Sequence, residues 1–246
     1  MAGTDPLSPE RVAALVAPVI DRIRNAIAGL LRDGLVGLAQ ELGVDAGGAR
    51  TMAMLRNLSD RSVSRAGVQA VLRYVPPAEV DAGIATATAA GLLEELPDAT
   101  LRVTARGADV VCRLYEAGSD VVTGLWSGHV ERIDALLGLT QRALDAAYLT
   151  GGPAVAVMAP PREPAGAPAA MVLAERLTPL RFHRFDAHVA AWQAAGLSVE
   201  EVQALGPGPV RDGIERETNR LAAPPYAALD PSERLELLGG LGALPN

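Results

Sequence analysis

The chain has 246 residues, 49% of them hydrophobic but only 3% aromatic, and a formal charge of −7. Its apolar content is mostly Ala, Leu and Val, which favours helices over strands, and its length allows one large domain or two modest ones. The acidic balance argues against a chain coated in nucleic acid; all 22 basic residues are arginine, which excludes a P-loop or Schiff-base lysine; and the single cysteine, Cys112, excludes a disulfide framework or a multi-cysteine zinc site.

The N-terminal stretch MAGTDPLSPERV has no apolar h-region, and no apolar run reaches membrane-spanning length, so a cytoplasmic protein without membrane contact is expected. Ser8, Pro9 and Glu10 start a helix. Val12, Leu15, Val16, Val19, Ile23, Ile27 and Leu30 then recur near the 3.6-residue period. A second short helix, GLVGLAQELG, should stop at Gly43, and another is expected around 51–58. Ser64 caps a helix to about Tyr74, and Pro76-Pro77 ends it and starts a second that closes at Gly91. Two short strands turn around Pro97-Asp98, the second being LRVT, and ARGADVV restarts a helix. That helix, whole or once broken, runs to about Leu149, with Val122, Leu125, Trp126, Ile133, Leu136, Leu137 and Leu144 as its apolar stripe.

Helix, turn, helix, hairpin, helix is the order of a winged helix-turn-helix. AAGLLEEL followed by LRVTARGADVV resembles the ending of MarR-type winged helices, where a wing separates the recognition helix from a dimerising helix; the resemblance covers roughly residues 10–150. It implies a homodimer that binds double-stranded DNA. Segment 151–168, rich in Pro, Gly and Ala, reads as a linker or surface loop, and 169–246 as a helical C-terminal domain in which Asp230-Pro231-Ser232-Glu233 starts the last helix. RFDAHVAAWQAAGLSVEEV and NRLAAPPYAAL resemble the actinobacterial SalK-like family, which brings no chemistry to carry over. The expected architecture is thus mainly α: a winged helix with flanking dimerisation helices (1–150), a linker and a helical domain.

For DNA, the recognition helix AEVDAGIATATAAG offers Thr86 and Thr88 but also Glu79 and Asp81, and no cation. Positive charge comes from Arg50, Arg56, Arg61, Arg65 and Arg73 around it and from Arg102 and Arg106 on the wing, positions suited to phosphates.

For chemistry, two of three histidines fall in RFHRFDAHVAAW. Phe182, Phe185, Val189 and Trp192 share one helical face, and His183 and His188 lie about 140° apart around the axis, so they cannot grip one metal ion. His183 with Asp186 reads as a solvated pair on the far face. His188, between Arg184 and Trp192, should be half-buried, as should His129 between Trp126 and Ile133. If the helices pack together, Trp126, His129, His188 and Trp192 line one apolar pocket for a small molecule, with Glu215, Glu217, Thr218 and Asn219 of ERETNR as further polar wall. His129, His188 and Asp186 are the catalytic candidates. Walker, G-x-S-x-G, H-E-x-x-H and G-x-G-x-x-G signatures are all missing, so no metal or cofactor is expected. Two readings follow: a ligand-responsive winged-helix regulator, or a winged-helix scaffold without DNA that acts as an enzyme or small-molecule binder of specialised metabolism through His129 and His188.

Overall fold

The structure is a computed structural model that describes residues 7–45, 48, 51–52 and 61–246. The chain is mainly helical, with one small sheet among the described residues, and its contacts divide it into two units: Met1–Asn25 with Leu125–Asn246, and Ala26–Gly124. The division falls at 25/26 and 124/125 and not in segment 151–168.

Helix α1, Pro9–Leu42, contributes its first turns to the larger unit and the rest to the smaller. Ser8 accepts from the Arg11 amide at its start, and Gly43, at a φ of +69°, ends it. The two helices expected here are therefore one. Gly34 and Gly37 meet nothing that would force a break, and a glycine inside a helix costs only about 1 kcal/mol. Val12, Val16, Ile20, Ile23 and Ile27 are buried, while Leu15 and Leu30 are exposed.

In the smaller unit, strand β1 (Ser62–Ser64) precedes α2 (Arg65–Val71) and α3 (Pro77–Ala89); β2 (Leu93–Glu95) and β3 (Thr100–Val103) form a ribbon, and α4 (Ala105–Leu125) follows. The sheet is antiparallel in the order β1-β3-β2, with Val63 opposite Leu101 and Leu93 opposite Val103 on its buried side, and Arg102 exposed opposite Ser62 and Glu94. Ser64 caps α2, accepting from the Gly67 amide at 3.1 Å, but the helix stops at Val71, short of Tyr74. Pro77 opens α3, and Gly91 at φ +69° closes it. Asp98 accepts from both the amide and the hydroxyl of Thr100 and so pins the ribbon's turn.

The join between β3 and α4 explains the spacing of VTARG. Thr104 donates to the Gly91 carbonyl and accepts from the Gly107 amide, capping the helix. A β-carbon on Gly107 would lie 2.2 Å from the Leu92 carbonyl oxygen, so only glycine lets helix and ribbon approach this closely.

In the larger unit, the helix after α4 is broken once, at Trp126–His129, before α5 (Val130–Thr150). Next come α6 (Pro153–Met158), α7 (Ala169–Ala194), α8 (Val199–Ala204), α9 (Pro209–Leu221), α10 (Pro224–Ala227) and α11 (Pro231–Gly242). Helix α7 is the axis of the unit, packed by α5 and α6 and by α9, while α10 and α11 pack on α5. Between Ala170 and Leu180 none of its residues is exposed, and only Val172 and Arg176 are half-buried, which suits a helix enclosed by its neighbours. The segment expected as a linker or surface loop, 151–168, divides: α6 lies within it, with Ala154, Val155, Val157 and Met158 buried in this core, whereas 159–168 has no helix or strand and is half-buried or exposed. Capping boxes start α8 (Ser198 with Glu201) and α11 (Asp230 with Glu233), the latter as expected. No helix among the described residues is long and apolar enough to cross a membrane.

Candidate functional site

Helix α7 carries Arg181, Arg184, Phe185 and His188 at i, i+3, i+4 and i+7, one stripe along its surface. Ala17, Ile20 and Asp21 of α1 face this stripe, and Leu180 and Tyr226 complete a cavity of about 160 Å³. Its floor is apolar; two guanidinium groups, an imidazole, a carboxylate and a phenol stand around it.

Three of the polar groups, Arg181, Arg184 and His188, are held by neighbouring side chains. Arg184 donates to Asn219 Oδ1 at 2.7 Å and to Glu215 Oε2 at 3.0 Å, and Arg181 donates through Nε to Asp21 Oδ1 at 2.6 Å. The Thr218 hydroxyl gives its hydrogen to the Ile214 carbonyl at 2.8 Å, so His188 Nδ1, 3.2 Å from that oxygen, must be the donor. His188 is therefore the Nδ1–H tautomer, with Nε2 a bare acceptor. Burial, opposed by the Glu215 carboxylate and assisted by the Arg184 and Arg211 cations, lowers its pKa and keeps the ring neutral near pH 7. Tyr226 is buried, and its phenol pKa is raised by that burial. Among the described residues its hydroxyl makes no hydrogen bond.

His188 is half-buried, as its position between Arg184 and Trp192 suggests. The other three residues expected beside it do not line this cavity. Trp126 is fully buried, and its indole N–H donates to the Pro245 carbonyl at 3.0 Å. His129 stands at the N-cap of α5, half-buried, its Nδ1 accepting from Arg132. Trp192 packs in an apolar cluster with Val189, Ala191 and Ile214.

His183 and Asp186 do not form a solvated pair. His183 is 3% exposed, and burial lowers its pKa to about 4. Thr150 commits its hydroxyl hydrogen to the Ala146 carbonyl, so His183 donates from Nε2 to Thr150 at 2.9 Å and is the opposite tautomer to His188. Asp186 accepts from the Ala154 amide at 3.2 Å and the Val155 amide at 2.9 Å, at the start of α6. The reason for both departures is α6 itself: it covers the face of α7 that a linker would have left in water.

The ERETNR helix supports the cavity and does not line it, through Glu215, Thr218 and Asn219, whereas Glu217 is paired with Arg220. Sequence reasoning missed Arg181, Asp21 and Tyr226. The signal for Arg181 was its place on the Arg184–His188 stripe; Tyr226, some forty residues along the chain, gave none.

In the smaller unit three of the cations proposed for DNA, Arg65, Arg102 and Arg106, are engaged by neighbours. Arg65 pairs with Asp81 at 3.4 Å and Glu95 at 2.8 Å, Arg102 with Glu94 at 2.8 Å, and Arg106 donates to the Ala90 carbonyl at 2.8 Å. Arg61 and Arg73 are half-buried, Thr88 is exposed, and Thr86 returns its hydroxyl to the Ala82 carbonyl. Arg50 and Arg56 lie outside the described residues, as does most of the helix expected at 51–58. The exposed face of α3 shows Glu79 and Asp81. Among the described residues no group of three or more His, Cys, Asp or Glu could hold a metal ion.

Comparison with protein-family models, with curated proteins and with solved structures finds no match to this chain.

Proposed function

We propose that this chain is a small-molecule-binding protein on a winged-helix scaffold, with its ligand in the cavity beside His188. The observation that carries the reading is the convergence of pre-positioned polar groups, Arg181, Arg184, His188 and Tyr226, on an apolar floor, which is how small-molecule sites are generally built. Arg181, Arg184 and His188 need no rearrangement to receive a guest, because Asp21, Glu215, Asn219 and Thr218 already fix them. Chemistry shared between His129 and His188 has no such support; any proton transfer at this cavity would fall to His188 with Tyr226.

The test is an NMR screen of the protein with neutral, acidic and basic fragments, following the His188 ring. Hits should perturb that ring, and Ala17→Trp, which fills the cavity, should abolish them. Fragments that bind without touching His188 and ignore Ala17→Trp would overturn the reading, and so would a screen without hits.

The second reading is a homodimeric, ligand-responsive regulator, MarR-like in its smaller unit. What favours it is the order β1-α2-α3-β2-β3-α4, in which α3 would be the recognition helix and β2-β3 the wing. Against tight operator binding stand the acidic face of α3 and the ion pairs that occupy Arg65 and Arg102. A regulator would bind its own upstream DNA with a steep salt dependence, weakened by Arg65→Ala or Arg106→Ala. Failure to bind that DNA at low salt, with fragment binding intact, decides for the first reading.

A further inference from the structure

The cavity beside His188 is rich in donors. Of the five N–H groups on a guanidinium, Arg184 uses two and Arg181 one among the described residues, and the Tyr226 hydroxyl uses none. Acceptors on the wall are few: Asp21, already bonded to Arg181, and His188 Nε2. A guest that satisfies this wall brings acceptor oxygens together, and a planar carboxylate matches the fork of an arginine.

Charge limits the guest further. Two cations stand on the wall, but Asp21 offsets one, and Glu215 holds Arg184 from behind. These four charges sum to zero, so a guest anion is drawn by the unused N–H donors and not by excess positive charge; a monoanion meets less repulsion from the two carboxylates than a dianion such as a phosphate monoester. Ala17, Ile20, Leu180 and Phe185 call for an apolar body. An apolar cavity of about 150 Å³ takes a benzene-sized guest, so this one suits a body of that order.

We propose that the cavity takes a small monocarboxylic acid as its anion, with the carboxylate on Arg184 and Arg181, a short apolar chain or ring over Ile20 and Phe185, and a hydroxyl or N–H of the guest donating to His188 Nε2. This inference rests on the small-molecule reading above and adds the ligand class. Burial, opposed by Glu215 and assisted by Arg184 and Arg211, lowers the His188 pKa and so favours the neutral ring whose Nε2 is that acceptor.

The test is calorimetric titration of the full chain with a series of carboxylates, from acetate through hexanoate to phenylacetate and mandelate, each beside its primary amide. At least one acid of intermediate size should bind tenfold or more tightly than its amide. Arg184→Gln should erase that preference. Because Arg184 also braces α9 through Glu215 and Asn219, the more exposed Arg181→Gln serves as a second variant, expected to weaken the acid several-fold and leave the amide unchanged. Mandelate should exceed phenylacetate in the parent and lose that margin in His188→Phe. If amides bind as tightly as acids, the carboxylate assignment falls while the small-molecule reading stands. If no acid in the series binds, although neutral or basic fragments perturb His188, the assignment falls in the same way. If nothing perturbs His188, both fall.

Discussion

In the smaller unit Arg65 reaches Asp81 and Glu95 across an exposed surface; in the larger unit Arg184 reaches Glu215 and Asn219 at the rim of a cavity, with three-quarters of its side chain covered. The contacts are of one chemical kind, but their worth differs. Water and salt screen the first, which therefore adds little stability and chiefly prevents the arginine from reaching a phosphate. The second is partly desolvated and fixes the direction in which the remaining N–H groups point. The same difference recurs in the carboxylates: Glu94 meets Arg102 in solvent, whereas Asp186 lies against the start of α6. The charges of Arg65 and Arg102 are self-contained at the surface, whereas Arg184 is held in position beside the cavity.

Four measurements would break or sharpen this contrast. The largest effect belongs to the smaller unit and involves no charge: Gly107→Ala places a β-carbon on the Leu92 carbonyl and should cost about 3 kcal/mol or more by denaturant unfolding. A loss under 1 kcal/mol would mean that ribbon and helix are less tightly joined than described.

Next comes the pH dependence due to His183. Its folded pKa of about 4 lies below the ordinary value of 6.5, so between those values the unfolded chain binds a proton that the folded chain refuses. Stability is unaffected by this group above pH 6.5 and falls as pH drops toward 4. The parent should lose about 3 kcal/mol more than His183→Gln over that range. Parallel pH profiles for the two would show His183 to be solvated after all.

A smaller effect is expected for Asp186→Ala, which removes the acceptor at the start of α6 and should cost about 1–2 kcal/mol. The smallest belongs to Arg65→Ala, at less than about 1 kcal/mol, with the difference shrinking further in high salt. A larger Arg65 effect that survives salt would erase the distinction between the units.

What could be read in the sequence was local. Ser64, Pro77, the Pro97-Asp98 turn and the Asp230 box act within a few residues of themselves, and each starts or bends the chain where its chemistry requires. Strand β1 was missed because three residues of Ser-Val-Ser carry no pattern; it exists because β3 offers a partner. The larger error was one of composition. Segment 151–168 has the Pro, Gly and Ala content of a loop, yet Pro153 can start a helix and Val155, Val157 and Met158 can seal one. Reading it as a linker left His183 and Asp186 in water, so a single misassigned turn of helix misplaced two polar residues. At the cavity, His188 and Arg184 were visible from helical spacing, whereas Asp21 and Tyr226 arrive from distant parts of the chain and depend on tertiary packing.

The committed hydroxyl hydrogens of Thr150 and Thr218 leave α7 carrying two imidazoles protonated on different nitrogens, five residues apart. Nitrogen-15 spectra should separate these rings without any label beyond the isotope. One ring is sealed in the interior, and the other borders the cavity. The first is thus a built-in standard for the integrity of the helix bundle, against which the second can be read as an occupancy gauge.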